Sequence, residues 1–156
     1  MGGPPGAEVK KLDYFVGTWT SEGTIAQGPW GMGGKFSSTS KGEWMPGNFF
    51  VKAESEAKMP PEIGGDGTST MIMGYDTQAN TYTSDRFSSL GQHEQSKGTV
   101  SGDTWTWASS SNYGGMEIQG RMTMKVVSPT SYTFKYEVST DGKEWMTFME
   151  GKATKK

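Results

Sequence analysis

The sequence predicts an all-β protein, a single antiparallel up-and-down barrel of about ten strands with one short helix at its N-terminal end. The 23 glycines and the 12% aromatic content are typical of a turn-rich chain whose core is built from large rings. From Trp19 onward, apolar and polar residues alternate with a period of two, and turn residues recur roughly every ten residues. An open sheet of this length would leave two unpaired edges, which favours closure into a barrel.

The chain has 156 residues, enough for one closed core and too few for two. Residues 1–6, MGGPPG, are predicted to form a flexible leader, and residues 7–156 the barrel domain. The leader fits a protein whose export signal has been trimmed, which favours a periplasmic or secreted location. A cytosolic protein can begin with the same six residues, so the sequence does not decide the compartment.

One helix is predicted from Ala7 to Val16, because Val9, Leu12 and Phe15 have helical spacing and Gly17 stands where the helix would end. The alternating segments that follow are the predicted strands. They lie at residues 17–25, 35–44, 49–57, 68–76, 80–88, 91–100, 103–109, 116–126, 132–138 and 143–154.

Turns are predicted where glycine, aspartate and asparagine interrupt this alternation. Asp141-Gly142 is a hairpin signal, because this pair tolerates the positive φ that a tight turn requires. Two more hairpins are predicted within Tyr75–Tyr82 and Val100–Trp105. Met59–Gly67 is too rich in proline and glycine to pair, and Gly31–Lys35 lacks the length and the Ser or Thr of a phosphate-binding loop, so it is predicted to be a turn.

The segment FVGTW, from Phe15 to Trp19, marks the junction between the helix and the first strand. Gly17 can bend there without steric penalty, and Trp19 is predicted to point inward and seal the floor of the barrel. FVGTW resembles the Gly-x-Trp signature found at the start of lipocalins and fatty-acid-binding proteins, the calycin group.

Four stretches resemble one bacterial lipocalin-like family, the domain of unknown function DUF1579. They are KLDYFVGTWTSEG at the start, MGYDTQANTY from Met73 to Tyr82, SSLG from Ser88 to Gly91, and the step from Gly98 to Trp105. The resemblance implies a ten-stranded barrel of calycin or nitrobindin type, often exported by bacteria, with no established reaction and no catalytic residues. Haem-binding relatives hold iron through a histidine late in the barrel. The single histidine of this chain, His93, lies mid-chain, so no haem site is carried over and no cofactor is expected.

Composition and charge exclude several other classes of protein. The formal charge of -2 and the dispersed lysines give no basic patch for nucleic acid or an anionic membrane, and no segment is apolar enough to be inserted into a membrane. Without cysteine there are no disulfides, thiolate metal sites or Cys-His pairs, and one histidine cannot build a multi-histidine zinc site. No metal site and no catalytic residue is therefore predicted, and His93 is interpreted as a surface residue.

Polar side chains that share a strand face with aromatic ones are the candidates for a site. Tyr82, Ser84 and Arg86 alternate on one face. A buried arginine needs an anionic partner, so we expect Arg86 to pair either with a carboxylate such as Glu94 or with a carboxylate of a ligand. Of the two, the structural pair is the preferred interpretation.

In a small barrel, the residues that fill the core can also form the wall of a cavity, because the interior is where a ligand binds. Trp105 and Trp107 share a face, as do Met122 and Met124, and all four fit either role. The predicted ligand-binding residues are Trp19, Tyr82, Ser84, Arg86, Trp105, Trp107, Met122, Met124 and Tyr136.

The favoured function is the binding of a small, largely apolar ligand, a hydrophobic or amphipathic molecule, inside the barrel; a homodimer is compatible with the sequence. One alternative is an enzyme that uses Arg86 with Glu94 or Asp85 for acid-base chemistry. A third possibility is a filled barrel that acts as a structural or interaction module. An open interior of several hundred Å3 separates the first from the last.

Overall fold

The computed structural model describes residues 3–113 and 115–156, and within them ten antiparallel strands close into a barrel. Each strand pairs with its neighbours in sequence, and the first strand pairs with the tenth. The all-β, ten-stranded barrel predicted from the sequence is therefore confirmed. The strands are β1 Gly17–Ile25, β2 Gly34–Trp44, β3 Val51–Lys58, β4 Gly67–Asp76, β5 Thr81–Ser88, β6 His93–Ser101, β7 Thr104–Tyr113, β8 Met116–Ser128, β9 Ser131–Ser139 and β10 Met146–Lys155.

The N-terminal helix is shorter and more tightly wound than predicted. An α-helical turn, α1, spans Ala7–Lys10, and a 3-10 helix continues it over Lys11–Phe15. Three residues per turn place Leu12 and Phe15 on the same side, where both are buried in the core of the barrel. A second 3-10 helix, Pro61–Ile63, lies between β3 and β4. Within the described ranges, no helix is long and apolar enough to cross a membrane.

Nine of the ten strands differ from the prediction at one or both ends, by one to four residues. The strand β3 begins at Val51, and Phe49 and Phe50 lie in the preceding turn, where their rings are exposed. The strand β10 begins at Met146 instead of residue 143, because the Asp141 carboxylate accepts hydrogen bonds from the next backbone amides in the turn, at 2.8 and 2.9 Å. The strand β7 continues to residue 113, four residues further than predicted.

The helical segment closes one end of the barrel with a cluster of aromatic rings, which we call the floor. Trp19 is 5% exposed, and its ring centroid lies 5.3 Å from Tyr14 and 5.0 Å from Tyr132. The Tyr14 hydroxyl lies 2.9 Å from the carbonyl oxygens of both Ser128 and Ser131, so it ties the helix to the turn between β8 and β9. The prediction that Trp19 points inward is consistent with this burial.

Gly23 of β1 and Gly151 of β10 face each other where the barrel closes. A Cβ atom at Gly23 would overlap the backbone carbonyl oxygen of Glu150, and one at Gly151 would overlap that of Glu22. The two backbones therefore approach more closely than side chains allow. Glycine is required at both positions for this contact.

The tyrosines of the floor should make the fold sensitive to alkali. Burial, followed by the nearby Tyr14, raises the pKa of Tyr132 to about 12, and burial also raises the pKa of Tyr14. Because the folded pKa lies above the unfolded value of about 10, this contribution to stability is complete below pH ~10 and is lost as the pH rises towards 12. Tyrosinate absorbance and circular dichroism, followed together against pH, should show these tyrosines ionising as the fold is lost. Ionisation of every tyrosine near pH ~10 in the folded protein would contradict this prediction.

Candidate functional site in the barrel interior

On β5 and β7, burial of the inward-facing side chains decreases from the floor towards the opposite end of the barrel. On β5, Tyr82 is 2% and Ser84 6% exposed, whereas Arg86, two residues further along the same face, is only half-buried. On β7, Trp105 is 4% and Trp107 7% exposed, and the next inward residue, Ser109, is half-buried. On this side of the barrel, the interior is therefore packed at the floor and more accessible towards the other end, which we call the mouth.

Part of the mouth is covered by loops. The Trp30 indole N–H donates to the Ala26 carbonyl at 2.6 Å, and its ring centroid lies 4.9 Å from Phe148. Trp30, Met59 and Ile63 pack against a buried cluster formed by β1, β2 and β9. No such cluster covers the ends of β5, β6 and β7 among the described residues, so we expect the interior to be reached from that side.

The predicted aromatic and methionine residues all belong to the interior. The rings of Trp105 and Trp107 are parallel within 8°, with centroids 6.1 Å apart. Tyr82 meets Trp105 edge-on at 4.8 Å. Met122 and Met124 are partly buried and pack against both apolar clusters. These residues form one continuous apolar surface that runs from the floor up the wall.

The Tyr82 hydroxyl is anchored at the floor and is not free for a ligand. It donates to the Glu8 backbone carbonyl at 2.8 Å and lies 3.1 Å from the Glu8 carboxylate. Burial, the hydrogen bond and the nearby Glu8 charge raise the pKa of Tyr82. Its ring, in contrast, remains part of the apolar surface.

A wall of serine hydroxyls faces the interior above the floor. Ser84 lies opposite Ser96, which in turn lies opposite Ser109, so three adjacent strands carry a continuous row at one height. A second row runs through β2, β3, β4 and β5, where each serine is the register partner of the next. The serines on inward-facing positions are Ser21, Ser38, Ser40, Ser55, Ser69, Ser84, Ser88, Ser96, Ser109 and Ser111.

Except for Ser84, this serine wall was missed at the sequence level, although the signal was present. In β2, Ser38 and Ser40 follow Phe36 at intervals of two, and in β7, Ser109 and Ser111 follow Trp107 in the same way. Serines in phase with buried aromatics are expected to face the same side of the sheet. Serine is mostly exposed in proteins, so by itself it gives only a weak signal for an inward face.

Tyr136 extends the row of hydroxyls across β8. A Cβ atom at Gly120 would overlap the Tyr136 hydroxyl and would also crowd the Ser109 Oγ atom. The absence of a side chain at Gly120 therefore lets the phenol of Tyr136 lie over β8, next to Ser109. The predicted ligand-binding residues Tyr136 and Ser84 thus sit at opposite ends of one polar row.

Arg86 has no protein partner in the described part of the chain. Glu94 is its register partner on β6, but no salt bridge or hydrogen bond joins the two side chains. The preferred sequence interpretation, a structural pair between Arg86 and Glu94, is therefore wrong. The other arginine differs: Arg121, on the outer face, contacts the Glu137 carboxylate at 3.2 Å and covers the Trp145 ring at 4.1 Å.

Asp85, the second acid considered for Arg86, belongs to the outer face. Its carboxylate accepts a hydrogen bond from Gln95 at 3.0 Å and lies 3.1 Å from His93 Nε2. The hydrogen bonds from Gln95 and His93 lower the pKa of Asp85. His93 is exposed and stacks on Phe87 at 4.4 Å, which confirms its prediction as a surface residue.

Other parts of the molecule offer weaker candidates. Two grooves of about 700 and 690 Å3 lie along the outer wall, lined mainly by threonine, lysine and glutamate side chains that are well solvated. A search of the described ranges finds no group of three histidine, cysteine or acidic side chains that could hold a metal ion. We take as the candidate site the inward face of β5 to β8, where the aromatic, serine and arginine side chains lie together.

Comparison with known proteins places the barrel in a family. The family model described as "Protein of unknown function (DUF1579)" matches residues 4–155. The chain belongs to this family. The resemblance noted in four stretches of the sequence is thereby confirmed across nearly the whole chain.

Solved structures of other proteins share the fold. Rv2717c from M. tuberculosis superposes with a TM-score of 0.71 at 11% sequence identity, over 97% of this chain and 98% of its own. The S-type phycobiliprotein lyase CPES from Guillardia theta superposes with a TM-score of 0.59 at 9% identity, over 94% of this chain and 91% of its own. A search of curated proteins finds no match to this chain. At these identities, the DUF1579 chain shares with both structures the barrel fold alone.

Proposed function

We propose that this DUF1579 protein binds a small, largely apolar molecule in the interior of its barrel. The observation that carries the proposal is the change in burial along the inward face, from the buried Trp105 and Trp107 to the half-buried Ser109 and Arg86. On β1 and β2, the inward residues Ile25 and Phe36 at the end opposite the floor are buried, so the accessible part of the interior is confined to the side of β5 and β7. Because close packing is the usual state of protein interiors, half-buried inward side chains on that side favour a binding site over a filled barrel.

The arrangement of side chains fits a ligand pocket. Pockets for small molecules are concave, mostly apolar and supplied with a few polar groups that fix orientation. Here the apolar surface is made by Trp105, Trp107, Met122 and Met124, and methionine side chains adapt to ligands of different shape.

Blocking the interior with a bulky side chain tests this proposal. The probe is phenylnaphthylamine, a neutral apolar fluorophore. It should bind the wild-type protein at one molecule per chain, and its absorption should quench the emission of the adjacent Trp105 and Trp107. Ser109→Trp, which places a large ring inside the barrel, should reduce the affinity at least about tenfold, because the ring occupies the volume that the probe needs.

The matched control is Ala108→Trp, which introduces the same ring on the exposed outer face of the same strand. This variant should bind the probe as the wild type does. Equal loss of affinity in both variants would refute binding in the interior. The proposal would also fail if the wild-type protein bound neither this probe nor naphthylacetic acid, naphthylacetamide or naphthyl phosphate. Fluorescence titration and circular dichroism of all three proteins give the comparison.

A further inference from the structure

Along β5, β6 and β7, the barrel interior is apolar at depth and polar near the mouth. The stacked pair Trp105–Trp107 lies below the row formed by Ser84, Ser96 and Ser109. A molecule that fills both zones must have an apolar body and a head group that accepts hydrogen bonds. Serine hydroxyls and a guanidinium in this position can donate hydrogen bonds to such a group.

Arg86 defines the charge of the head group. Its side chain lies on the same inward face as the buried Tyr82 and Ser84, is half-buried, and lacks any ion pair or hydrogen bond with the described residues. Withdrawing a guanidinium from water without a partner is unfavourable, and its planar fork of donors matches a carboxylate in a bidentate arrangement. An anionic head group provides the missing partner.

A second donor without an acceptor lies deeper in the same interior. Trp19 is buried, and its indole Nε1–H has no hydrogen-bond partner in the described part of the chain. Both Trp19 and Arg86 can only donate through these atoms. The Trp19 donor lies at the floor, where the apolar body of a ligand would lie, so Arg86 alone specifies the head group.

Glu94 limits the size of that charge. It is the direct register partner of Arg86 and lies on the inward face of β6, where it is half-buried. With Glu94 beside Arg86, a bound monoanion leaves one excess negative charge in this half-buried site, and a dianion such as a phosphate monoester leaves two, which costs more to withdraw from water. The pair therefore suits a single negative charge.

We propose that the ligand is an amphipathic carboxylate, with its carboxylate against Arg86 and the serine row and its apolar body on Trp105 and Trp107. This inference rests on the proposed function and specifies its ligand class. The head group lies towards the mouth, on the side of β5, β6 and β7 that the loop cluster leaves uncovered. The apolar body lies deeper.

The test compares three small molecules with the same ring system: naphthylacetic acid, the neutral naphthylacetamide and naphthyl phosphate. Calorimetric titration of the wild-type protein should rank the acid first. In Arg86→Met, the affinity for the acid should fall roughly 10- to 100-fold, the usual worth of a charge-assisted hydrogen bond, while the affinity for the amide should stay nearly unchanged.

Arg121→Met is the matched control, since it makes the same substitution at the arginine of the outer face, and it should bind the acid as the wild type does. Glu94→Gln provides an independent test if Arg86→Met folds poorly. Removing the neighbouring negative charge should raise the affinity for the acid severalfold and leave that for the amide unchanged.

The outcomes separate this inference from the proposed function. Equal binding of acid and amide, or equal loss of both in Arg86→Met, would overturn the carboxylate head group while binding in the interior stands. Tighter binding of naphthyl phosphate than of the acid would overturn the choice of a single charge. If none of the three compounds binds and phenylnaphthylamine does not bind either, the proposed function fails together with the inference.

Discussion

Replacing Trp19 by alanine should lower the free energy of unfolding by roughly 3 to 5 kcal/mol, as expected for a fully buried aromatic residue. The ring is almost completely removed from solvent and contacts both Tyr14 of the helical segment and Tyr132 of β9. Its loss leaves a cavity where the helix meets the barrel, and these neighbours cannot collapse into it without moving the backbone. Urea unfolding followed by circular dichroism measures the loss.

His93→Ala is the comparison for Trp19→Ala. His93 lies on the outer face, and its side chain is 48% exposed. Among the described residues, it contacts the Asp85 carboxylate and stacks on the Phe87 ring. Its removal should change the free energy of unfolding by less than about 1 kcal/mol, the usual value of an exposed pair. Similar losses in the two variants would mean that the assignment of inner and outer faces is wrong.

Gly23→Val should cost about 3 kcal/mol or more, although valine is one of the best residues for a β-strand. The new Cβ would overlap the backbone carbonyl of Glu150 on the facing strand, and a backbone atom cannot move away as a flexible side chain can. The strands β1 and β10 would have to separate at the position where they close the barrel. Thermal unfolding should show the lower stability directly.

Thr24→Val introduces the same residue at the next position of β1, where the side chain is exposed on the outer face. This control should remain within about 0.5 kcal/mol of the wild type, as surface substitutions usually do. If Gly23→Val were as stable as Thr24→Val, the close approach of the two backbones at Gly23 and Gly151 would be refuted.

The barrel could be predicted because each strand buries one face and exposes the other to solvent. In β8, Gly120, Met122 and Met124 occupy the inward positions assigned from the alternation alone. Period-two alternation is a local property of the chain, so it can be recognised without knowing which strands pair with each other. Strand ends that depend on hydrogen bonds between a side chain and the backbone were predicted less accurately. The start of β10, after the Asp141 turn, is an example.

The polar half of the site could be predicted only in part. The face of Arg86 follows from its spacing to Tyr82, but whether it pairs with Glu94 depends on side-chain rotamers and distances across strands, which a sequence does not encode locally. The serine rows arise because the strands pair in a register that places a serine of each strand opposite a serine of the next. Register is fixed by the closed sheet as a whole, so the hydroxyls become a common surface only in the folded barrel.

The pairing of β1 with β10 has a consequence for how the chain folds. Nine of the strand pairs in the described barrel join consecutive strands through short turns, whereas this pair brings Trp19 beside Lys155. Closing so long a loop costs roughly 2 to 3 kcal/mol more entropy than closing a hairpin, and contacts of this kind slow folding. During synthesis, β10 must therefore emerge from the ribosome before β1 finds its second neighbour. Until then, one edge of β1 is unpaired and open to pairing with another copy of the chain.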